Sequence, residues 1–361
     1  MRVVIAGGGT GGHLFPGIAV AEEFLKRDPE NRVLFIGTKK GIEHRMLPDL
    51  GYELQEIEVE GVKGRGLRAL IKGVYAVPKS MWQSRAIFKR FDPDVVLGVG
   101  GYASGPAVIA AWCMCRPTAI AEQNAVAGNT NRILGRFVDR IFLTYEESKE
   151  GFAPRKVMVT GNPVRAAFAE GQSRPAKDSG IRQLLIFGGS QGAAAINKAI
   201  VEMLPLLRQM SDRIRVVHQT GERDGEMVRR AYSEYGLDAV VSPFVKDMAS
   251  AYGAADLIIC RAGATSLAEI TAAGRACVLI PFPWAVGDHQ TKNAEAMVRA
   301  GAAVMIRESA LSAATLFACL QGLLVDEDKL RAMEERSKRL GRPDAAARVV
   351  DACMALAAMK H

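Results

Sequence analysis

No apolar run in this 361-residue chain approaches the roughly 20 residues that span a bilayer, so no transmembrane helix is expected. A secretory leader is missing too: the N-terminus enters the strand-like run Val3-Val4-Ile5-Ala6 at once, which points to a cytoplasmic protein. Cysteine is sparse. Cys113-Met114-Cys115 is the one close pair, has no second pair and no histidine nearby, so zinc is not expected. All six cysteines read as reduced core thiols. Acid is absent from one stretch. Between Gly61 and Phe91 stand Lys63, Arg65, Arg68, Lys72, Lys79, Arg85, Lys89 and Arg90 with no Asp or Glu, and these eight cations account for the whole formal charge of +8. Apolar Leu70, Ile71, Val74, Tyr75, Val77, Met81 and Trp82 are interleaved with them. The segment reads either as a helix packed on its own domain or as a basic, apolar face for an anionic membrane. No nucleic-acid module pattern accompanies the charge, so nucleic acid is not expected as a partner.

What is present is an alternation of short apolar runs and helix-like segments. Val3–Ala6, Val33–Ile36, Asp94–Val99, Thr118–Ala121 and Arg140–Leu143 read as buried strands, with Leu54–Val59 weaker. Gly17–Arg27, Leu67–Phe91 and Ala107–Cys115 read as helices. The pattern breaks near Thr160–Arg165, and the polar stretch Glu170–Gly180 reads as a linker. It restarts at Leu184–Phe187, followed by strands Ile214–Gln219, Ala239–Val241, Leu257–Cys260 and Val278–Ile280, and it closes with an Ala-rich helix Arg342–Lys360. Such alternation implies parallel sheets wrapped by helices, and the length suits two domains. Asp94-Val95-Val96-Leu97 before Gly100 and Asp256-Leu257-Ile258-Ile259 before Gly263 form a faint internal echo.

Glycine-rich turns follow the strands. Phe187-Gly188-Gly189-Ser190-Gln191-Gly192-Ala193 joins a strand to a helix start, where bare N–H groups and the helix dipole favour an anion. Gly7-Gly8-Gly9-Thr10-Gly11-Gly12-His13 repeats the arrangement at the N-terminus, so a ligand held between two α/β domains is expected. The first loop contains G-x-G-x-x-G, yet a dinucleotide site wants a carboxylate after the second strand, and Ile36-Gly37-Thr38-Lys39-Lys40 has none. His13, beside five glycines, places a titratable group where backbone can approach a phosphate closely. Gly98–Pro106 and Gln123-Asn124 lie past two further strand ends, on the edge where open α/β sheets bind ligands. In the second half, small residues from Ala262 to Ser266 free N–H groups for a diphosphate, and Arg261 offers charge. Glu269 suits ribose hydroxyls, and Asp288-His289-Gln290 suits a sugar.

In order through nearly the whole chain, these motifs resemble the MurG family of bacterial peptidoglycan glycosyltransferases. They are Gly8–His13, Gly100–Pro106, Glu122-Gln123-Asn124, Gly161-Asn162-Pro163-Val164-Arg165, Gly188–Ala193 and Arg261–Glu269. The resemblance implies an α/β fold of GT-B type: two Rossmann-like domains with parallel sheets facing a cleft, and a C-terminal helix crossing back to the first. The domains would be 1–165 with 342–361, binding acceptor and membrane, and 166–341, binding donor. It implies inverting transfer of N-acetylglucosamine from UDP-GlcNAc to lipid I, giving lipid II, with no cofactor and no obligatory metal. The site would be at the cytoplasmic face of the inner membrane, where other cell-wall synthesis or division proteins are further partners. By position, Thr10, Gly11 and Gly12 should lie by the donor sugar and diphosphate, with Asn124 on the GlcNAc. Arg165, Ser190 and Gln191 should meet the diphosphate, Val245 the uracil through its backbone, and Ala264, Thr265, Ser266, Leu267, Ala268 and Glu269 phosphate and ribose. Gln290 should hold the sugar, and His13 is expected to be the base. Lys72, Tyr75, Lys79, Trp82 and Arg85 are expected to touch the membrane. Val245 replaces a frequent Ile and His289-Gln290 a frequent Gln pair, which leaves His289 without an assigned role. A GT-B transferase with another acceptor, a UDP-sugar epimerase, and a non-catalytic UDP-sugar-binding protein are the competing readings.

Overall fold

Apolar strands with glycine at their ends alternate with helices from the first residues onward, and every strand pairing is parallel. The computed structural model describes residues 1–59, 67–169, 180–189 and 192–359, with the backbone alone for 67–76 and 169. The chain divides into a unit of Met1–Ala166 with Arg342–His361 and a second unit of Ala167–Gly341.

In the first unit the order is β1 (Arg2–Gly7), α1 (Gly11–Arg27), β2 (Arg32–Gly37), α2 (Glu43–Asp49), β3 (Glu53–Glu56) and α3 (Leu67–Phe91). It continues with β4 (Val95–Gly100), α4 (Ser104–Cys113), β5 (Thr118–Glu122), α5 (Asn129–Leu134), β6 (Arg140–Leu143) and β7 (Val157–Val159). The sheet runs β3-β2-β1-β4-β5-β6-β7. Strand order therefore reverses between β1 and β4, and the loops after those strands sit at the switch point where such sheets take ligands. Val3, Ile5, Val95 and Leu97 bury one sheet face under α1, while Val4, Ala6 and Val96 bury the other with Phe88 and Phe91 of α3.

Helix α6 (Ala166–Ala169) crosses the unit boundary, and the predicted linker beyond it lies outside the described residues apart from Gly180. The second unit follows as β8 (Arg182–Phe187), α7 (Ala194–Leu207), β9 (Ile214–Gln219), α8 (Gly225–Glu234), β10 (Ala239–Ser242) and α9 (Met248–Ala254). Next come β11 (Leu257–Cys260), α10 (Ala264–Ala273), β12 (Ala276–Leu279), α11 (His289–Arg299), β13 (Ala303–Met305), α12 (Ala313–Leu324) and α13 (Glu327–Leu340). The sheet order β10-β9-β8-β11-β12-β13 reverses between β8 and β11. Helix α14 (Ala345–Ala358) returns to the first unit, packing Val349, Val350, Cys353 and Leu356 into the core on the α1 side.

The echo between the halves is structural. Asp94 accepts a 2.7 Å bond from the Arg2 N–H, and Asp256 accepts one of 2.8 Å from the Gln183 N–H. In each unit, then, the carboxylate before the strand beyond the switch point clasps the start of the first strand. The cysteine expectation needs correcting. Cys260, Cys277 and Cys353 are buried, but Cys113 and Cys115 are exposed, because α4 ends there and Cys115 turns the chain with φ +55°.

Candidate active site

At the switch point of the first unit two glycine loops interlock. Gly8 donates its N–H to the Gly100 carbonyl at 3.2 Å. A Cβ on Gly7 would stand 2.3 Å from that same oxygen, and one on Gly101 2.3 Å from the Gly8 oxygen, so only glycine permits this approach. Helix α1 begins at Gly11, with extended Thr10 as its N-cap, so His13 lies in the first helical turn and not in the loop, as the glycine run suggested. Thr10 Oγ1 stands 3.5 Å from His13 Nδ1. The imidazole lies against Gly100, where a Cβ would come within 2.6 Å of the ring. Phe15, one turn on from Gly11, carries the Arg165 guanidinium on its ring at 4.6 Å, so Arg165 is brought to the helix start that holds Gly11 and Gly12.

Asn124 follows β5 and is clamped by Glu122, a motif residue with no role of its own in the sequence reading. The buried Glu122 carboxylate accepts from the Asn124 N–H (3.0 Å), Asn124 Nδ2 (3.3 Å), the Gly128 N–H (2.9 Å) and Asn131 Nδ2 (2.9 Å). Gln123 donates to the Val99 carbonyl at 3.1 Å, which ties this loop to β4.

In the second unit Gly188, Gly189 and Gly192 turn the chain from β8 into α7, while Ser190 and Gln191 lie outside the described residues. Gly192 has φ +76°, and a Cβ there would stand 2.1 Å from the Thr220 carbonyl. Neutral polar groups brace the turn. Gln219 donates to the Gly189 carbonyl at 2.9 Å, and Asn197 Nδ2 donates to Thr220 O (2.9 Å) and Asp224 Oδ2 (2.7 Å). Those two bonds fix the Asn197 amide, so its Oδ1 accepts from His218 Nε2 at 3.0 Å, and His218 Nδ1 accepts from the Tyr232 hydroxyl at 3.2 Å. Burial pushes the His218 imidazole down from 6.5 to about 3.

Across the same switch point α10 begins at Ala264 after the extended N-cap Gly263 with no capping side chain, which leaves its first turn suited to an anion. Ala264, Thr265 and Glu269 are buried, with Ser266 and Ala268 half-buried, and the Leu267 side chain belongs to the core. Any ligand contact from Leu267 is therefore through its backbone. Glu269 accepts from the Tyr252 hydroxyl at 3.3 Å, and Tyr252 packs edge-on against Phe187 at 5.8 Å.

Arg261, offered by its position as a cation for the diphosphate, is engaged within the second unit. It donates to the Ile280 and Pro281 carbonyls at 3.1 and 3.2 Å and pairs with Glu308. Gln290 accepts from the Phe282 N–H at 3.0 Å, His289 Nδ1 donates to the Val286 carbonyl at 2.8 Å, and Val245 is half-buried after exposed Phe244.

Helix α3 turns Ser80, Ser84, Ile87, Phe88 and Phe91 inward at helical spacing and Lys79, Trp82, Arg85 and Lys89 outward. Trp82 is 71% exposed. The side chains of Lys72 and Tyr75 lie outside those described. Lys79 is paired with Glu58 at 2.7 Å, so the basic segment has an acidic partner that its own sequence does not contain. Beside α3, α4 exposes Trp112, stacked edge-on with Phe137 at 5.1 Å, and Arg132, Ile133 and Arg136 are exposed on and after α5. Among the described residues no helix is long and apolar enough to cross a membrane.

Residues 3–143 match the glycosyltransferase family 28 N-terminal domain and 183–349 the family 28 C-terminal domain. The chain is 55% identical over 356 residues, 99% of both chains, to the UDP-N-acetylglucosamine--N-acetylmuramyl-(pentapeptide) pyrophosphoryl-undecaprenol N-acetylglucosamine transferase of Syntrophus aciditrophicus (strain SB). The crystal structure of Acinetobacter baumannii MurG superposes with a TM-score of 0.77 at 31% identity, covering 98% of this chain and 99% of that one. A UDP-GlcNAc 2-epimerase from Neisseria meningitidis reaches a TM-score of 0.70 at 14% identity, covering 98% and 100%, and shows the fold alone. With both domains matched and more than half of its residues shared with a full-length relative, the chain belongs to glycosyltransferase family 28.

Proposed function

We propose that this enzyme is the inverting transferase that moves N-acetylglucosamine from UDP-GlcNAc to lipid I, giving lipid II. The observation that carries the reading is the 55% identity to a transferase of that name over its full length, in a chain whose motif loops lie at both switch points. The acceptor hydroxyl oxygen attacks the anomeric carbon as the bond to the UDP oxygen breaks on the opposite face, which inverts the centre. His13 takes the hydroxyl proton, and the departing diphosphate gains negative charge. In the second unit the turn before α7 and the first turn of α10 supply N–H groups for that charge, an interaction that strengthens in the transition state. Glu269 holds the ribose, Asn124 and Gln290 the sugar, and Arg165 adds a cation. Release of UDP from UDP-GlcNAc with and without a lipid I analogue tests the function. Acceptor-dependent release is expected. Equal release without acceptor would mark a hydrolase, and none at all an epimerase that keeps its UDP or a binding protein.

Glu269→Ala is expected to weaken UDP binding by tenfold or more, since bonds to a charged group are worth roughly 1.5–3 kcal/mol. Glu269→Gln, which keeps an acceptor for Tyr252, controls for packing. Unchanged calorimetric affinity in both folded variants would remove Glu269 from the donor site.

The membrane reading rests on the outward face of α3 together with Trp112, Ile133 and Phe137 and the cations around them. Each cation near an anionic surface contributes about 1 kcal/mol, screened by salt, while the apolar part persists. Trp82→Ser combined with Arg85→Glu and Lys89→Glu should abolish co-sedimentation with anionic vesicles and leave UDP affinity intact. Vesicle binding equal to that of the parent would reduce this face to solvated surface.

A further inference from the structure

Glu43, at the start of α2, is fully buried, and no role falls to it in the reaction described above. Its Oε2 accepts from the Gly9 N–H at 2.6 Å. Its Oε1 accepts from the Thr38 N–H at 2.9 Å and from the Thr38 hydroxyl at 3.1 Å. Around the carboxylate the backbone is glycine on three sides. A Cβ on Gly8, Gly37 or Gly41 would stand 2.5, 2.5 or 2.0 Å from Glu43 atoms. Two stretches of chain, the first glycine loop and the β2–α2 connection, thus lack a side chain where this one carboxylate sits.

A glycine turn at a switch point ordinarily takes its shape around a phosphate. Here one of its amides is already bound to an anion the protein carries itself. Gly7, Gly8 and Gly9 run at φ +150°, +139° and +86°, held on one side by the bond from Gly8 to Gly100 and on the other by the bond from Gly9 to Glu43. Thr10 is the next residue, and His13 lies in the turn that Thr10 caps. Any shift of Gly9 therefore moves Thr10 and the imidazole, and misplacement on the order of 1 Å can slow a reaction by about 10²-fold.

We infer that Glu43 is a positioning residue: an internal anion that sets the first glycine loop, and through it His13, before any substrate binds. The inference rests on His13 being the base. Glutamine is isosteric with Glu43, but its NH₂ must face either the Gly9 N–H or the Thr38 donors, which sets donor against donor. Glu43→Gln should therefore lower kcat by about 30- to 100-fold while the KM for UDP-GlcNAc stays within about threefold, the split expected for lost positioning. Glu43→Ala removes the carboxylate and its Cγ methylene, a hole that admits formate, and formate, but not formamide, should restore at least about fivefold of its kcat. In the isotope-labelled full-length protein, the Gly9 amide proton should move upfield in Glu43→Gln as its charge-assisted bond is lost.

Glu43→Gln turning over within threefold of the parent, or a folded Glu43→Ala indifferent to formate, overturns the inference. If Glu43→Ala does not fold, Glu43→Gln and its Gly9 resonance decide. Slow His13→Ala with normal Glu43→Gln defeats this inference alone, whereas normal turnover in both variants defeats the base assignment with it. A parent that makes no product defeats the functional reading, and the Gly9 resonance still reports whether Glu43 sets the loop.

Discussion

His13→Ala is expected to lower turnover by about 10²- to 10⁴-fold, the range for losing a positioned general base. UDP-GlcNAc affinity should stay within about threefold, because the proton is taken only as the anomeric bond breaks, so the interaction belongs to the transition state. The geometry supports an assigned position for the ring, with Thr10 Oγ1 at 3.5 Å from one nitrogen and room for the other edge made by Gly100. A companion substitution, Gly100→Ala, should mimic the loss, since its Cβ would press on the imidazole and its φ of +96° disfavours a side chain. Steady-state kinetics with isothermal calorimetry separates the possibilities. Equal losses in turnover and donor affinity would make His13 a donor ligand, and normal turnover would leave it a helix-terminal hydrogen-bonder.

The second large effect is on stability in acid. His218 takes a proton at about 3 in the folded protein and near 6.5 in the unfolded chain, because burial disfavours the cation. Between those values the unfolded state holds more protons, so stability falls as pH falls, by up to about 1.4 kcal/mol per pH unit from this one group. Its contribution is complete above pH 6.5 and exhausted near pH 3. Protonation would also force a donor toward the Tyr232 hydroxyl, which now donates to His218 Nδ1. Urea unfolding at pH 7 and pH 5 should show the parent losing about 2 kcal/mol more than His218→Gln, which does not titrate. Identical pH slopes would show that His218 does not take up the proton on unfolding.

The most legible strands are those with four or more apolar residues in a row between polar or glycine punctuation, such as Leu257–Cys260 and Val33–Ile36. Strand β7, only three residues long, carries too little pattern, and α2 and α5 are too short for a helical period to show. The motif loops could be placed because strand ends and glycines are local features. What holds the loops could not. The carboxylate missing after the second strand is there, three residues past Lys40, but Glu43 turns inward to Gly9, 34 residues away in sequence. The partners of Arg261 were hidden for the same reason. Its position after a strand suggested a ligand cation, whereas its partners are two carbonyls near residue 280 and Glu308. Lys79 likewise found its acid outside the basic segment.

The return of α14 has a consequence for how the protein is made. On the ribosome, α1 emerges early, yet the helix that covers it comes after residue 341. At roughly 5–20 residues per second, the α1 face waits on the order of 15–60 s for Val349, Val350, Cys353 and Leu356. The second unit is synthesised whole in that interval, so the half made first is finished last. During that wait the apolar face that these four residues cover stays open. A premature stop just after residue 341 would therefore damage the half that carries His13 while sparing the half that carries Glu269.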